Sequence, residues 1–389
     1  MTQKVTSNSI ESVDASKLSG DHTNATDGQN LTGINDGIIE SASDPTASSN
    51  PTGGLGTLWV NYTSGEMYNL TNASPNANYW TNVGGQSGDI FYQYSYQGAV
   101  AGFSVGGETH QTDCQKWSFI NNGSNAQWGP LSRIFQGQTM AGKGTDYAFL
   151  HGQEHITNSN QIISKMQYAT ANSSSNWGSI GFASQHASGT TDSDNDYFFI
   201  CYSYTYGGSN QERISKNSQN SRQNWGSMGS VSRNYGAGVS DVTNAKGYIM
   251  GGDSNGATPT NTIFQITHAS QTTNSLISGT LPSGVQSRSG NVSSATHGYC
   301  IGGHFPFQSK IQRMSFANNS TTANHCDLTS ARWGCHGASG TTHGFSAGGV
   351  SGGGSTQQIE KFQYANLNSI VSWGNLPNNN YNHIGGTHN

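Results

Sequence analysis

AGFSVGG (101–107), DYAFLHG (146–152), KGYIMGG (246–252), HGYCIGG (297–303) and HGFSAGG (343–349) share an aromatic-centred apolar run that ends in glycine. DYFFICY (196–202) keeps the run and lacks the glycine. The six segments end at 107, 152, 202, 252, 303 and 349, so they recur every 45 to 51 residues. A second landmark recurs independently: QWGPL ends at Leu131, NWGSI at Ile180, NWGSM at Met228, SGTL at Leu281, CDL at Leu328 and SWGNL at Leu376, spaced by 47 to 53 residues. Two unrelated landmarks with one period of about 49 residues mark an internal repeat. A repeat of that length is one supersecondary unit that buries its apolar face by stacking on its neighbours.

Between the landmarks, QKWSF (115–119), SKMQY (164–168), QRMSF (312–316) and EKFQY (360–364) superpose position by position. Apolar and polar positions alternate, as in a strand with one face toward a core. Lys116, Lys165, Arg313 and Lys361 share one column, which Lys216 of RISK is expected to join; these charges are expected to face solvent. Phe119, Tyr168, Phe316 and Tyr364 fill another column, and Trp128, Trp177, Trp225 and Trp373 are expected in the core. A variable stretch such as SRSGNVSSAT (287–296) supplies a further strand, giving four short strands per repeat.

The order of features, Gly-Gly, aromatic, Trp, then Leu-Pro and Arg, resembles the kelch repeat. Leu281-Pro282 with Arg288 carries the likeness best, and Arg133, Arg233 and Arg332 fall similarly after their landmarks. The resemblance implies an all-β chain with a six-bladed kelch-like β-propeller over residues 98–389. Beyond Leu376 the chain runs PNNNYNHIGGTHN, which parallels GCHGASGTTHG before Phe345. A C-terminal strand is therefore expected to complete the first blade and remove a sheet edge. IFYQYSYQ (90–97) competes for that slot.

Residues 1–52 are polar and aperiodic and contain DASKLSG (14–20) and DGQNLTGIND (27–36). These resemble motifs near the N-termini of phage tail-fibre proteins. LGTLWVNYTSGEMYNLTNASPNANYWTNVGG (55–85) resembles a small β module of virion fibres in phages of marine cyanobacteria. The implied organisation is an extended anchor over 1–52, a small β module and linker over 53–97, and the propeller. The implied function is a bacteriophage virion structural protein, a tail fibre or similar appendage. Its N-terminal segment would attach to other virion proteins in a homo-oligomer, a trimer as in other fibre anchors. Its propeller would bind a host-surface glycan or receptor, or another virion protein.

Composition agrees with a class outside metabolic enzymes. Charged residues are 10% of the chain, against about 25% in ordinary globular proteins. Aromatics at 10% supply anchors that disordered chains lack. A net charge of −5 offers no basic field for nucleic acid. No apolar run approaches the length of a membrane span, and MTQKVTSNSIESVD shows no apolar leader, so no membrane insertion is expected. Cys114, Cys201, Cys300, Cys326 and Cys335 contain no CxxC pair and read as small core residues.

No GxSxG elbow, HExxH, GxxxxGK[ST] or strand–GxGxxG–helix unit occurs. No catalytic residue, metal or cofactor is assigned, and the chain is read as a non-enzyme. The alternatives are a carbohydrate-active propeller enzyme acting on host polysaccharide and a purely structural capsid or tail decoration. His325, Cys326, Cys335 and His336, with His304 nearby, are zinc-ligand types. Adjacent strand residues point to opposite faces, however, so each pair can offer at most one ligand. Asp192, Asp194, Asn195 and Asp196 alternate as in a calcium loop and lack its glycine and distal Glu, so they read as a solvated loop. Aromatics are the better lead. Tyr202, Tyr204 and Tyr206 alternate along CYSYTYGG, and Phe305 and Phe307 follow a Gly-Gly in HFPF. Both sets leave second strands. Exposed, they would stack on the apolar faces of sugars; the competing reading buries them between blades.

Overall fold

A computed structural model describes residues 38–74, 77–83, 88–90, 95–107, 112–133, 135–153, 161–181, 187–192, 196–201, 210–227, 234–253, 258–273, 275–286, 291–304, 306–319, 322–379 and 385–389. Every regular element among them is a strand. The chain divides into two units, 1–93 and 94–389.

In the first unit, Ile38–Ser41, Leu58–Asn61, Met67–Asn72 and Tyr79–Asn82 form one sheet in that order, the first pair parallel. Alternation along MYNLTN places Tyr68 and Leu70 on one face, where they pack with Trp80, Trp59 and Ile90. Asn61 fixes the first hairpin: its Oδ1 accepts the N–H groups of Thr63 and Ser64. The segment read as an extended anchor thus gives Ile38–Ser41 to this sheet, and residues 1–37 lie outside the described residues.

The second unit is a succession of antiparallel four-stranded sheets. Sheet 1 joins Gly385–His388 to Ala101–Val105, Asp113–Ser118 and Asn125–Pro130. Sheet 2 comprises Gln136–Lys143, Tyr147–Gln153, Ile162–Gln167 and Ser175–Ser179. Sheet 3 comprises Ser188–Thr191, Tyr197–Cys201, Asn210–Ser215 and Gln223–Ser227, with the short Thr272–Thr273 at its edge. Sheet 4 runs Ala237–Asp241, Lys246–Met250, Thr262–Thr267 and Ser275–Thr280. Sheet 5 runs Asn291–Ser293, His297–Gly303, Gln308–Ser315 and Thr322–Asp327, and sheet 6 runs His336–Ser339, His343–Ala347, Gln358–Gln363 and Val371–Asn375. The slot beside Ala101–Val105 is filled by the C-terminal strand, Gly386 pairing with Ser104. Ile90, from the competing segment, bridges Trp80 in the first unit instead.

First strands touch one another in sheet order, and the first strand of sheet 6 touches that of sheet 1. Small residues permit this approach: a Cβ on Gly238 would collide with the Gly189 backbone, and one on Gly386 with the Gly337 backbone. Hydroxyls stitch these strands together. Lys143 N–H donates to Thr191 Oγ1 (3.2 Å), Thr191 N–H to Ser240 Oγ (2.9 Å), Ser240 N–H to Ser293 Oγ (2.9 Å) and Ser293 N–H to Ser339 Oγ (3.0 Å).

The recurrent tryptophans occupy β-bulges. Cys114 pairs with Gly129 and Gln115 with Gln127, which leaves Trp128 as the extra residue; Trp177, Trp225, Trp373 and, in sheet 5, His325 repeat this. These rings pack against the core edge, Trp225 buried and the other three tryptophans half-buried. The basic column does not simply face solvent as expected. Lys116, Lys165, Arg213 and Lys361 lie over Trp128, Trp177, Trp225 and Trp373 at 4.0, 4.0, 3.7 and 3.3 Å. Each indole holds its cation by the ring quadrupole. Arg213, not Lys216, belongs to this column, because it pairs with Phe199 as Lys116 pairs with Phe103.

Between sheets, an aromatic at the end of the third strand in sheets 1, 2, 4, 5 and 6 meets the second-strand aromatic of the preceding sheet: Phe119 with Phe345 (4.4 Å), Tyr168 with Phe103 (5.2 Å), His268 with Phe199 (4.3 Å), Phe316 with Tyr248 (5.7 Å) and Tyr364 with Tyr299 (5.3 Å). Lys216 holds this position in sheet 3, and Phe198 from the second strand stacks on Phe149 in its stead (5.2 Å). All five cysteines are buried, and none forms a disulfide.

Candidate functional site

Of the five aromatics singled out in the sequence, Phe307 is described, and Tyr202, Tyr204, Tyr206 and Phe305 lie outside the described residues. Phe307 is 40% exposed in the turn between the second and third strands of sheet 5. Its ring lies 5.5 Å from His304 and 6.5 Å from Trp333, with His304 4.6 Å from Trp333.

The position of Trp333 has a buried cause. The third strands carry a polar column, Gln115, Glu212, Gln312 and Glu360, whose side chains accept backbone N–H groups just beyond the Leu landmarks: Asn378, Gly181, Ser283 and Thr329. Glu360 also takes Arg332 at 2.5 Å, and both side chains are fully buried. Arg332 further donates to Gln358 Oε1 and Ser346 Oγ. The strand Arg332–Trp333 then pairs with Val350–Ser351, and Trp333 is held under His304 and Phe307. Trp333 and His304 were not singled out as binding aromatics. The signal available was that Trp333 falls outside the Trp-Gly frame of the repeat. Phe307 and His304 thus present a partly exposed aromatic surface over the buried Trp333, suited to stacking and hydrogen bonding at a sugar ring.

A second polar concentration lies where the chain enters the second unit. Lys143 Nζ donates to Ser95 O (3.3 Å), Gln97 Nε2 to Ser293 O (2.8 Å), His388 Nε2 lies 2.6 Å from Tyr96 O, and Gly98 N–H donates to Ser339 O (2.7 Å). The Tyr96 hydroxyl bonds Ser240. Ser95–Gly98 therefore ties together the first strands of sheets 1, 2, 4, 5 and 6.

Nearby, Lys216 and Asp192 form a buried pair at 3.5 Å, and Asp192 also accepts Tyr197 N–H. The expected solvated acidic loop thus begins with a buried, paired carboxylate; residues 193–195 lie outside the described residues. Burial pushes Asp192 up to about 6 and Lys216 down to about 8. Burial, helped by the Lys216 charge, brings Lys143 to about 7 and His268 to about 3. His388 is held well below the usual histidine range by burial and by Lys143.

The metal-ligand types in the sequence do not converge. His325 Nε2 bonds Gln363 O, His336 Nε2 meets Ser104 Oγ, and His304 packs at a tilt against Trp333. Among the described residues no three His, Cys, Asp or Glu side chains gather around a common point. Arg233 and Arg288 lie outside the described residues. Comparison with known proteins identifies no matching family model and no matching curated protein.

Proposed function

We propose that residues 98–389 form a closed six-bladed propeller of kelch type, serving as the recognition head of a phage virion appendage. The ring reading is supported by the sheet-order contacts of the first strands and by the C-terminal strand beside Ala101–Val105. The attachment reading rests on DASKLSG and DGQNLTGIND, with the small β module as spacer. In this reading the N-terminal segment docks on other virion proteins in a homo-oligomer, a trimer, and the loops after second strands meet a host-surface glycan.

The observation that carries recognition is the Phe307 and His304 surface, backed by the buried Trp333 next to the buried Arg332–Glu360 pair. A ring stacked on a sugar contributes on the order of 1 kcal/mol. Several heads on one particle raise the effective affinity by roughly 10²- to 10⁴-fold. Immunogold labelling with antibody to the propeller should decorate intact virions, and Phe307→Ala should lower adsorption to host cells. Because Phe307 is 40% exposed, its loss should leave the melting temperature nearly unchanged. Unlabelled particles would remove the appendage reading. Unchanged adsorption would move recognition to another surface.

A further inference from the structure

At the seam between sheets 6 and 1 lies a cavity of about 250 Å³, bordered by Phe119, Thr341, Thr342, His343, Lys361 and Trp373. It opens among the turns between first and second and between third and fourth strands, whereas Phe307 belongs to a turn between second and third strands. Its origin is legible in the repeat. In sheets 2 and 3 the second strand begins with Tyr147 and Tyr197, whose rings lie 3.8 Å from Lys165 Nζ and 4.2 Å from the Arg213 guanidinium carbon. Those cations are thus enclosed between a tyrosine and a tryptophan. In sheet 6 the same register position is His343, which pairs with Gln363 as Tyr147 pairs with Gln167. The smaller ring turns to Thr342 Oγ1 (2.7 Å), and Lys361 borders the cavity, its ammonium backed by Trp373 at 3.3 Å.

The walls are chemically mixed. Phe119, stacked on Phe345, offers an apolar wall, and Thr341 and Thr342 supply hydroxyls. Trp373 is fixed by its own bond to Ser118 O (2.7 Å). Among the described residues no carboxylate forms an ion pair with Lys361, which is half-buried. The volume falls below the 300–1,000 Å³ of pockets for larger ligands, so it fits one ring.

We propose that this seam cavity binds one ring of an acidic saccharide, its carboxylate on Lys361 and His343 and its apolar face on Phe119. The proposal stands apart from the Phe307 surface and does not require the virion reading. Burial lowers the proton affinity of both Lys361 and His343, and a bound carboxylate should raise it again.

The test uses the full chain and ligand-observed NMR with D-glucuronate, D-glucose and acetate as probes. Glucuronate should bind with a Kd of about 1 mM, the scale for a ligand of a dozen or so heavy atoms, and glucose and acetate at least tenfold more weakly. His343→Tyr rebuilds the arrangement of sheets 2 and 3, so it should keep the wild-type melting temperature while abolishing glucuronate binding. Lys361→Met should weaken glucuronate at least tenfold. Absence of glucuronate binding to the wild type would overturn the proposal. So would acetate binding as tightly as glucuronate, or glucuronate binding that survives in a folded His343→Tyr chain.

Discussion

Lys143 stands where the next four sheets place Thr191, Ser240, Ser293 and Ser339. Its ammonium is buried and reaches the Ser95 carbonyl, and its proton affinity falls to about 7. Between that value and the ordinary 10.5 the unfolded chain holds the proton more tightly, so stability should rise with pH across the window. Lys216, down to about 8, acts in the same direction, while Asp192, up to about 6, titrates below the window and opposes it. Lys143→Thr, which restores the hydroxyl found in sheet 3, should raise Tm near neutral pH by about 2 °C or more and flatten the alkaline rise. Thermal melts of both chains from about pH 7 to 10 check this. At the opposite extreme, Glu360→Gln installs the residue that Gln115 and Gln312 already use at that position. It also leaves the fully buried Arg332 without its carboxylate, which should cost about 3–5 kcal/mol in urea unfolding. Trp333 fluorescence should shift as its strand loosens.

Third strands show which parts of the fold were legible in the sequence. QKWSF, SKMQY, QRMSF and EKFQY align by inspection because each ends in an aromatic. ERISK (212–216) and FQITH (264–268) occupy the same five positions and end in Lys216 and His268, so Lys216 lies three residues beyond the basic column it is expected to join. The shift reflects an exchange within sheet 3: Phe198 replaces the small residue seen as Gly102, Ala148, Gly247, Gly298 and Gly344, and Lys216 replaces the third-strand ring. Phe198→Ala alone should destabilise by about 3–5 kcal/mol through the void it leaves. Lys216→Phe alone should crowd Phe198. Together they rebuild the usual seam, so a double-mutant cycle should return at least about 1 kcal/mol of favourable coupling. Additive losses would show that the two positions are independent. Periodicity could mark the strands, but the bulges that seat the tryptophans under cations depend on cross-strand register, which no single strand encodes. Of the aromatic cluster, the place after a glycine pair points to Phe307 alone; Trp333 reaches it through the strand that the Arg332–Glu360 pair holds, a contact distant in sequence, and His304 lies between the two rings.

The last residues of the chain link three parts of the second unit. Gly385–His388 hydrogen-bonds along Ala101–Val105, Thr387 bonds Tyr168 across the seam at 2.7 Å, and His388 meets the Tyr96 carbonyl. The same few residues therefore join sheet 1, its neighbour and the entering chain. Without them sheet 1 would present an unpaired edge, and the first strands of sheets 6 and 2 would lose the element both touch. The most direct measurement is equilibrium unfolding of a chain ending at residue 384 beside the full-length protein. Closure by the C-terminal strand requires a loss on the order of 3 kcal/mol or more, with faster amide exchange along Ala101–Val105 or outright aggregation. A shortened chain with the melting temperature and exchange protection of the full-length protein would contradict it.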